Sequence, residues 1–323
     1  MELYYAPMEG ITGYLHRNVS RAVFPDIDKY MTPFIAANQK GKLSTKEKND
    51  ILPYHNKGMY VIPQILTNQA DCFLAVERTL REYGYTELNL NLGCPSKTVV
   101  TKYRGSGFLA KPEELDHFLE EVFARTECEI SLKTRIGVED GEEFERLLEI
   151  YNKYPLKELI VHPRTQKDYY RNHPNMEWYT YAVEHGKAPL CYNGDITDVT
   201  SYKTFMKAYP DTDKVMIGRG LLVNPGLAGM LKGKAAPSKE QIREYHDRMY
   251  EAYREHMPGD RVVLFKMKEL WYYLAQHFTD SAKYAKKIRK AERLPVYESA
   301  VNALFAEQDF VSYFLFHFEK DML

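Results

Sequence analysis

The sequence predicts an α/β protein that consists of a (β/α)8 TIM barrel followed by a smaller C-terminal helical domain. Eight short strand-like runs each end in polar or glycine-rich residues, and amphipathic segments of helical length separate most of them. The chain has 323 residues, more than the roughly 250 residues of a typical barrel, so it has room for a second domain. Strand alternation stops near residue 233, which places the additional residues at the C-terminal end.

The eight predicted strands occur at regular intervals along the first domain, residues 1–233. They are LYYAPMEG at 3, KYMTPF at 29, MYVIPQIL at 59, ELNLNLGCP at 87, EISLKTRIG at 129, ELIVHPRT at 158, PLCYNGDI at 189 and KVMIGRG at 214. Helical periodicity predicts intervening helices over 69–83, 112–125, 142–154 and 199–209. The working groups of such barrels lie where the strands end, so polar residues at these ends are the candidates for function.

The second predicted domain, residues 234–323, is a helical bundle. Small residues and a proline in 232–238 (KGKAAPS) predict a linker. Helix-like runs follow over 239–256, 262–277, 281–293 and 296–318. The apolar run FVSYFLFHF at 310 is shorter than the roughly 20 residues that span a bilayer, so we expect it to cap the bundle core and expect no membrane association.

Cysteine usage and the N-terminal sequence favour a reduced, cytoplasmic protein. The four cysteines are scattered without a CxxC pair, which argues against disulfides and against a zinc site. The start, MELYYAPM, has neither the charged nor the apolar region of an export signal. Cys72, Cys128 and Cys191 fall in or beside predicted elements, where we expect them to be small buried hydrophobic residues.

Cys94 is the exception among the cysteines. It comes just after the alternating strand TELNLNL and is held between Gly93 and Pro95. A thiol at the end of a barrel strand is positioned for chemistry more than for packing.

Seven further polar residues end predicted strands in the same way. They are Gln64, Asn91, Lys133, His162, Arg164, Asn193 and Arg219. Any one of them alone could simply satisfy backbone groups at a strand end. Their joint placement on one predicted rim favours a functional site.

The net charge of −1 argues against general attraction to nucleic acid, but one region is strongly basic. Residues 261–293 contain nine basic and three acidic residues. Helical spacing puts Lys283, Lys286, Lys287 and Lys290 on one face. The alternative is a solvated helix face, but the neighbouring aromatic residues Trp271, Tyr272, Tyr273 and Tyr284 favour RNA contact, which combines cations with stacking surfaces.

Seven motifs together resemble a known family. They are APMEGIT at 6, NLNLGCPSKTV at 89, GSGFLAKP at 105, SLKTRIG at 131, VHPRT at 161, YNGDI at 192 and IGRG at 217. Their order and spacing over residues 3–229 resemble the flavin-dependent tRNA-dihydrouridine synthases. The resemblance implies that reduced FMN passes a hydride to C6 of a tRNA uridine while Cys94, as the acid, protonates C5.

The resemblance also implies roles for the other candidates. FMN would be reduced by NADPH or NADH, and tRNA would be the macromolecular partner, with no metal and no obligatory protein partner. The expected cofactor-binding residues are Pro7, Met8, Glu9, Gln64, Lys133, His162, Asn193, Gly194, Asp195, Gly218 and Arg219. The expected substrate-binding residues are Asn91, Arg164, Lys97, Lys102, Arg104, Lys283, Lys286, Lys287 and Lys290. Residues 234–323 would then be the tRNA-binding domain.

Three positions depart from the usual motifs of that family. Gly13 stands where many members have aspartate, and Glu9 stands where alanine is common. Pro163 replaces the glycine of the frequent HGRT motif, so the backbone geometry there is expected to differ.

Three other functions remain open on the sequence. A different FMN-dependent barrel, such as a dihydroorotate dehydrogenase-like enzyme, would share the lysine and the phosphate site but would not need the basic helix. An RNA-binding barrel without catalysis would not require Cys94 and Lys133. A thiol-redox protein would require a second cysteine near Cys94, and the sequence has none there.

Overall fold

A curled parallel sheet of ten short strands forms the first unit of the structure, a computed structural model that describes residues 1–311. The strands are β1 (Glu2–Tyr5), β2 (Lys29–Met31), β3 (Ile35–Ala36), β4 (Val61–Ile62), β5 (Gln64–Leu66), β6 (Glu87–Leu92), β7 (Glu129–Gly137), β8 (Glu158–Thr165), β9 (Leu190–Tyr192) and β10 (Lys214–Ile217). Each of the eight predicted runs contains a strand, which confirms the predicted strands, although β1 begins one residue before its run and β3 follows the end of the run at 29.

One extra strand arises because the predicted run at 59 is interrupted, and the other is β3, which follows the end of the predicted run at 29. Residues 32–34, which include Pro33, separate β2 from β3, and Pro63 separates β4 from β5. Proline has no N–H to donate to a strand ladder, so the pairing breaks at or near these positions. With each interrupted pair counted as one strand, the parallel order is cyclic, since β10 pairs β1, β2 pairs β4 and β3 pairs β5. The predicted (β/α)8 fold is confirmed.

The helices within residues 1–311 follow the predicted order. They are α1 (Tyr14–Val23), α2 (Thr45–Ile51), α3 (Ala70–Glu82), α4 (Lys97–Val100), α5 (Pro112–Phe123), α6 (Glu143–Tyr151), α7 (Met176–His185), α8 (Val199–Ala208), α9 (Arg219–Val223), α10 (Leu227–Leu231), α11 (Lys239–His256), α12 (Asp260–Leu274), α13 (Ala282–Lys290) and α14 (Leu294–Glu307). None of these helices is both long enough and apolar enough to cross a membrane.

Apolar side chains fill the interior of the barrel. Tyr4 and Ala6, Met31, Ile62, Ile160, Cys191 and Met216 form one buried cluster contributed by six strands or strand ends. Side chains alternate between the two faces of a strand, so each strand contributes inward residues to such a layer. Cys191 is fully buried in it, which confirms the expectation for that thiol.

The second unit consists of residues 10–27, 196–208 and the described residues from 218 onward. Its core is rich in aromatic residues from the C-terminal helices, and α1 adds Leu15 and Val19 to it. A capping box starts α11, where the Ser238 side chain accepts a hydrogen bond from the Gln241 backbone. The cap lies at the end of the predicted linker, so the chain leaves the linker directly into a helix.

The last predicted helix is too long. α14 ends at Glu307, although the apolar pattern continues to residue 318. Phe310 instead pairs with Phe278 in an antiparallel bridge, and Thr279 N donates to Asp309 O at 3.0 Å. These long-range contacts replace the helical hydrogen bonds of 308–311. Residues 312–318 of that predicted helix, and most of the apolar run at 310, lie outside the described residues.

Three buried histidines should make the second unit sensitive to acid. Burial lowers the pKa of His16 from 6.5 to about 3, and burial also lowers the pKa of His246 and His277. The unfolded chain therefore binds protons below about pH 6.5 that the folded chain does not bind. Stability is fully present above that pH and is lost as the pH falls towards the lowered pKa values.

We expect the urea midpoint of the protein to decrease steadily between pH 7 and pH 5. For His16 alone the loss at pH 5 is on the order of 2 kcal/mol. His16→Gln should flatten this dependence, whereas His185→Gln, a change at an exposed histidine, should not. A midpoint that is constant over this pH range would contradict the assignment.

Candidate active site

Cys94 lies two residues beyond the end of β6, all six residues of which are buried. The thiol is partly buried, and burial raises its pKa above the ordinary value of 9.0. It is therefore protonated at neutral pH. Ser106 fixes the Cys94 backbone, because Ser106 N lies 3.1 Å and Ser106 Oγ 3.0 Å from Cys94 O.

Asn91 holds the backbone of the Cys94 turn from the other side. Its Oδ1 accepts hydrogen bonds from Gly93 N at 3.1 Å and from Cys94 N at 3.0 Å. Its Nδ2 donates to Gln64 Oε1 at 2.7 Å. Asn91 and Gln64 are both buried, so these hydrogen bonds are made away from bulk water.

The series of hydrogen-bonded side chains that starts at Asn91, here called the amide chain, continues into the barrel. Gln64 Nε2 donates to Asn89 Oδ1 at 2.8 Å, and Asn89 Nδ2 donates to Ser131 Oγ at 2.9 Å. Gln64 and Asn91 were predicted from their positions at strand ends, but Asn89 and Ser131 were not. The signal was present, since Asn89 alternates with leucines in NLNL and must face the same side of β6 as Asn91.

Lys133 provides a cation that has no partner among the described residues. It lies on β7 directly beside Asn91 of β6 in the strand register. Within residues 1–311, Lys133 Nζ makes neither a hydrogen bond nor an ion pair. Burial and the Arg135 guanidinium lower the pKa of Lys133 to about 8. Placing a positive charge here without a counter-charge costs free energy, so the position is suited to an electron-rich ligand.

Arg135 forms hydrogen bonds to three backbone carbonyl groups of the rim. Its Nε donates to Gly93 O at 2.9 Å, and its terminal nitrogens donate to Thr165 O at 2.6 Å and Tyr169 O at 2.8 Å. Its guanidinium carbon lies 5.3 Å from the centroid of the Tyr170 ring. Arg135 and Tyr170 were not singled out from the sequence, because two such loops meet only in the folded barrel.

The His162 and Arg164 side chains lie together at the end of β8. Arg164 is buried, and its terminal nitrogens donate to Asp195 Oδ2 at 2.5 Å and to His162 Nε2 at 3.0 Å. A guanidinium has no lone pair to offer, so His162 Nε2 is the acceptor and its proton is on Nδ1. Arg164 Nε donates to Asn172 O at 2.6 Å, which completes its set of partners.

Pro163 sits at a β-bulge. Arg135 pairs with His162 and Gly137 pairs with Thr165, so β8 has one more residue than β7 in this interval. Bulges re-aim side chains near active sites, and a proline is tolerated at such a position. The bulge is how the chain accommodates proline in place of glycine.

The remaining cofactor candidates occupy the ends of other strands. Asn193 Nδ2 donates to Met216 O at 2.9 Å, and a Cβ atom at Gly194 would lie 2.0 Å from Tyr192 Oη, so residue 194 must be glycine. Pro7, Met8 and Glu9 follow β1, and Glu9 forms an ion pair with Lys46 of α2. Gly218 and Arg219 belong to the second unit, where they begin α9.

The predicted basic face is present on α13. Lys283, Lys286, Lys287 and Lys290 are all exposed, while Tyr284 and Ile288 of the same helix are buried. Lys283 approaches Glu307 at 4.0 Å. Among the described residues, the other three ammonium groups have no ion pair. Three of the four cations on this face therefore have no neutralising carboxylate in the part of the chain that the structure describes.

The aromatic neighbours of this face divide into two groups. Trp271 and Tyr284 are buried, where Trp271 Nε1 donates to Tyr297 Oη at 2.8 Å and Tyr284 Oη donates to Glu307 at 2.5 Å. The expectation that they are stacking surfaces for RNA is wrong, because the bundle core needs their rings. Tyr272 is 49% exposed, so its ring remains accessible.

The other basic candidates follow Cys94 in the chain. Lys97 and Lys102 are exposed and Arg104 is partly buried, all in a segment whose Ser106 bonds to the Cys94 carbonyl. No group of three or more histidine, cysteine, aspartate or glutamate side chains suited to a metal occurs in the part of the chain that the structure describes.

Comparison with known proteins identifies the family. A protein-family model described as "Dihydrouridine synthase (Dus)" matches residues 4–312. The chain is 28% identical over 250 residues to the tRNA-dihydrouridine(16) synthase of Pseudomonas syringae pv. tomato, covering 75% of this chain and 77% of the relative. It is 28% identical over 245 residues to the protein of the same name from Shewanella oneidensis, with coverages of 73% and 77%.

The solved structures support the fold. The old yellow enzyme homologue from Zymomonas mobilis matches with a TM-score of 0.51 at 13% identity, over 76% of this chain and 92% of that chain. At this identity the likeness concerns the barrel architecture alone. The family match, in contrast, spans nearly the whole sequence, and the chain belongs to the dihydrouridine synthase family.

Proposed function

We propose that this protein reduces a uridine of tRNA to dihydrouridine, with FMN as the bound cofactor and Cys94 as the acid. The observation that carries the proposal is the pairing of a protonated, rigidly held thiol with the partnerless cation of Lys133 on the adjacent strand. The membership of the chain in the dihydrouridine synthase family supports the same chemistry.

The residues at the rim fit a flavin. A partly buried ammonium without an ion pair among residues 1–311 suits the part of the ring that collects negative charge on reduction, and Lys133 supplies it. Gln64 and His162 offer hydrogen-bonding groups, and the glycine at 194 lets the chain pass close against the Tyr192 ring at the end of β9. Pro7, Met8, Glu9, Asn193, Asp195, Gly218 and Arg219 remain our proposed further contacts.

FMN, once reduced by NADPH or NADH, supplies the hydride for C6 of the uracil. The protein supplies the proton for C5 from the Cys94 Sγ–H, so the C5=C6 double bond is replaced by two C–H bonds and a thiolate remains. The thiolate regains its proton from solvent. The raised pKa of Cys94 ensures that the proton is present on the thiol when the base arrives.

The buried amide chain keeps this proton donor in place. Asn91 and Ser106 bind the backbone of Cys94 on both sides, so the thiol has little freedom relative to β6. Proton transfer requires donor and acceptor atoms within hydrogen-bond reach, and preorganisation lowers the entropy cost of achieving it. The second N–H of Asn91 remains for the uracil edge.

The buried position of Arg164 favours an indirect role in substrate binding. Its guanidinium is already committed to Asp195, His162 and the Asn172 carbonyl. We assign it the task of holding His162 in a single tautomer, so that the Nδ1–H donor points consistently at its ligand.

Identification of the cofactor and of the product tests the proposed function. The purified protein should be yellow and release FMN, and not FAD, on denaturation, because no G-x-G-x-x-G segment follows a strand. With NADPH and unmodified tRNA it should convert uridine to dihydrouridine, detected by mass spectrometry of nucleosides. A protein that releases FAD, or that reduces dihydroorotate-like small molecules but not tRNA, would contradict the proposal.

We propose residues 234–323 as the tRNA-binding domain, with the lysine face of α13 as its phosphate contact. Residues 281–293 contain six basic residues and one acidic residue. Cations without protein counter-charges release ions from the RNA when they bind phosphate, so such binding weakens with salt.

Replacement of Lys283, Lys286, Lys287 and Lys290 by glutamine should raise the KM for tRNA and reduce the salt dependence of binding by about one unit of slope for each lost contact. Flavin content should not change. The matched control replaces four exposed lysines elsewhere, Lys57, Lys187, Lys203 and Lys207. Equal salt slopes in the two fourfold variants would show that the α13 face is merely solvated.

A further inference from the structure

The segment that follows Cys94 has an unusual composition. Residues 95–111, PSKTVVTKYRGSGFLAK, contain four basic residues and no acidic residue. The segment forms α4, turns at Lys102–Arg104 and continues as a 3-10 helix over Gly105–Ala110. It therefore presents positive charge immediately beside the proposed proton donor.

Tyr103, in the turn of this segment, has a strained backbone and an exposed ring. Its φ angle is +50°, in the left-handed region that a tyrosine enters at a cost of roughly 1 kcal/mol. The side chain is 48% exposed. Among residues 1–311, no group makes a hydrogen bond to its hydroxyl. The fold therefore gains little from this ring, and strain retained in an exposed loop is a sign of function.

One cation already lies against the ring. Lys111 Nζ is 4.3 Å from the ring centroid, and the same ammonium is paired with Glu114 at 2.6 Å. The cation occupies one face of the ring. About half of the residue is still exposed, so the ring is accessible to a planar ligand.

The turn is rigidly connected to Cys94. A Cβ atom at Gly105 would lie 2.7 Å from Cys94 O, so the chain passes directly against the catalytic turn. Ser106 N and Oγ both bond to that same oxygen. Tyr103 N donates to Val100 O at 2.9 Å, which ties the turn to α4. Tyr103 is thus held at a set distance from the thiol.

Arg104 adds a hydrogen-bond donor that has no partner among the described residues. Its Nε is buried without a hydrogen-bond partner, and its guanidinium makes no ion pair within the described residues. A guanidinium with free donors is suited to a phosphate. Lys102, the residue before Tyr103 in the chain, is exposed. A ring flanked by two such cations has the composition of a site for single-stranded nucleic acid.

We propose that Tyr103 is a stacking platform for a tRNA base adjacent to the reduced uridine, with Lys102 and Arg104 neutralising the neighbouring phosphates. This inference rests on the proposed function. A uridine that reaches the partly buried thiol must leave its stack, which exposes a face of the neighbouring base. The Tyr103 ring covers that face, and its fixed connection to Cys94 sets which nucleotide is presented to the thiol.

The test compares Tyr103→Gly, Tyr103→Ala and Tyr103→Phe. Glycine relieves the strained φ, so Tyr103→Gly should be at least as stable as the wild type in a thermal melt while its Kd for unmodified tRNA rises about 5- to 100-fold, the effect of losing one stacked base. Tyr103→Ala should weaken tRNA binding similarly, and Tyr103→Phe should retain wild-type affinity. Oxidation of NADPH without tRNA should be unchanged in all three.

Tyr54→Ala is the matched control, because Tyr54 is 70% exposed but lies outside the 95–111 segment. It should bind tRNA as the wild type does. If the wild type binds tRNA and Tyr103→Gly binds it equally well, the inference is wrong while the proposed function stands. A raised KM for NADPH with unchanged tRNA affinity would likewise overturn it, since the ring would then stack on the nicotinamide donor. A wild type without affinity for tRNA would refute both.

Discussion

Cys94→Ala is expected to lower dihydrouridine formation by on the order of 10²-fold or more while the reduction of bound flavin by NADPH continues nearly unchanged. The thiol donates a proton only in the second half of the reaction, so its loss affects that half alone. Stopped-flow spectroscopy separates the two steps, since flavin reduction and reoxidation by tRNA each change the flavin absorbance.

Two further variants sharpen this result. Cys94→Ser keeps a hydrogen-bonding group but should remain slow, because a hydroxyl is a much weaker acid than a thiol. Cys72→Ala, at a buried cysteine of α3, should have wild-type rates in both steps. Equal damage to the two half-reactions by Cys94→Ala would show instead that Cys94 serves the fold.

Lys133→Met should lower the affinity for flavin by about 10- to 100-fold, the range for losing a hydrogen bond to a charged group. It should also slow hydride transfer from the flavin that remains bound, because charge developing on the ring loses its partner. Flavin titration of the flavin-free protein measures the first effect, and single-turnover reoxidation by tRNA measures the second.

The same substitution should stabilise the flavin-free protein. The pKa of Lys133 is lowered from 10.5 in the unfolded chain to about 8 in the folded protein. The protein therefore has the full stability linked to this group above pH 10.5, where the amine is neutral in both states, and loses it as the pH falls through 8. At neutral pH the ammonium is a partly buried charge without a partner among residues 1–311, and methionine removes that cost, on the order of 1–3 kcal/mol. A variant that binds flavin normally, or that is less stable without it, would contradict this role.

The strands and the position of Cys94 follow from local patterns in the sequence. Alternation of leucine with polar residues before Cys94 defines a strand of period two, and the glycine and proline around the cysteine end it. The same reasoning located the other seven strands. The interruptions at Pro33 and Pro63 have a local cause in proline, but the run at 59 was predicted as one strand and β3 was not predicted.

The partners of the rim residues could not be read from the sequence. Arg135 of β7 reaches Gly93 and Tyr169 only because the barrel brings the loops after β6 and β8 together. Arg164 was expected to contact RNA, but in the fold its guanidinium lies among Asp195, His162 and the Asn172 carbonyl. Such contacts depend on long-range register, which local periodicity does not contain.

Local patterns in the chain are enough to predict the strands and helices, the thiol at a strand end and the charged face of α13. Each of these depends on residues close together in the chain, where period, proline and glycine act directly on the backbone. The folded structure is needed to learn that Trp271 and Tyr284 are core residues, that α14 ends at Glu307 and that Tyr103 is strained and exposed. These outcomes depend on which distant groups compete for the same space and hydrogen bonds, and that competition arises only when the chain is folded.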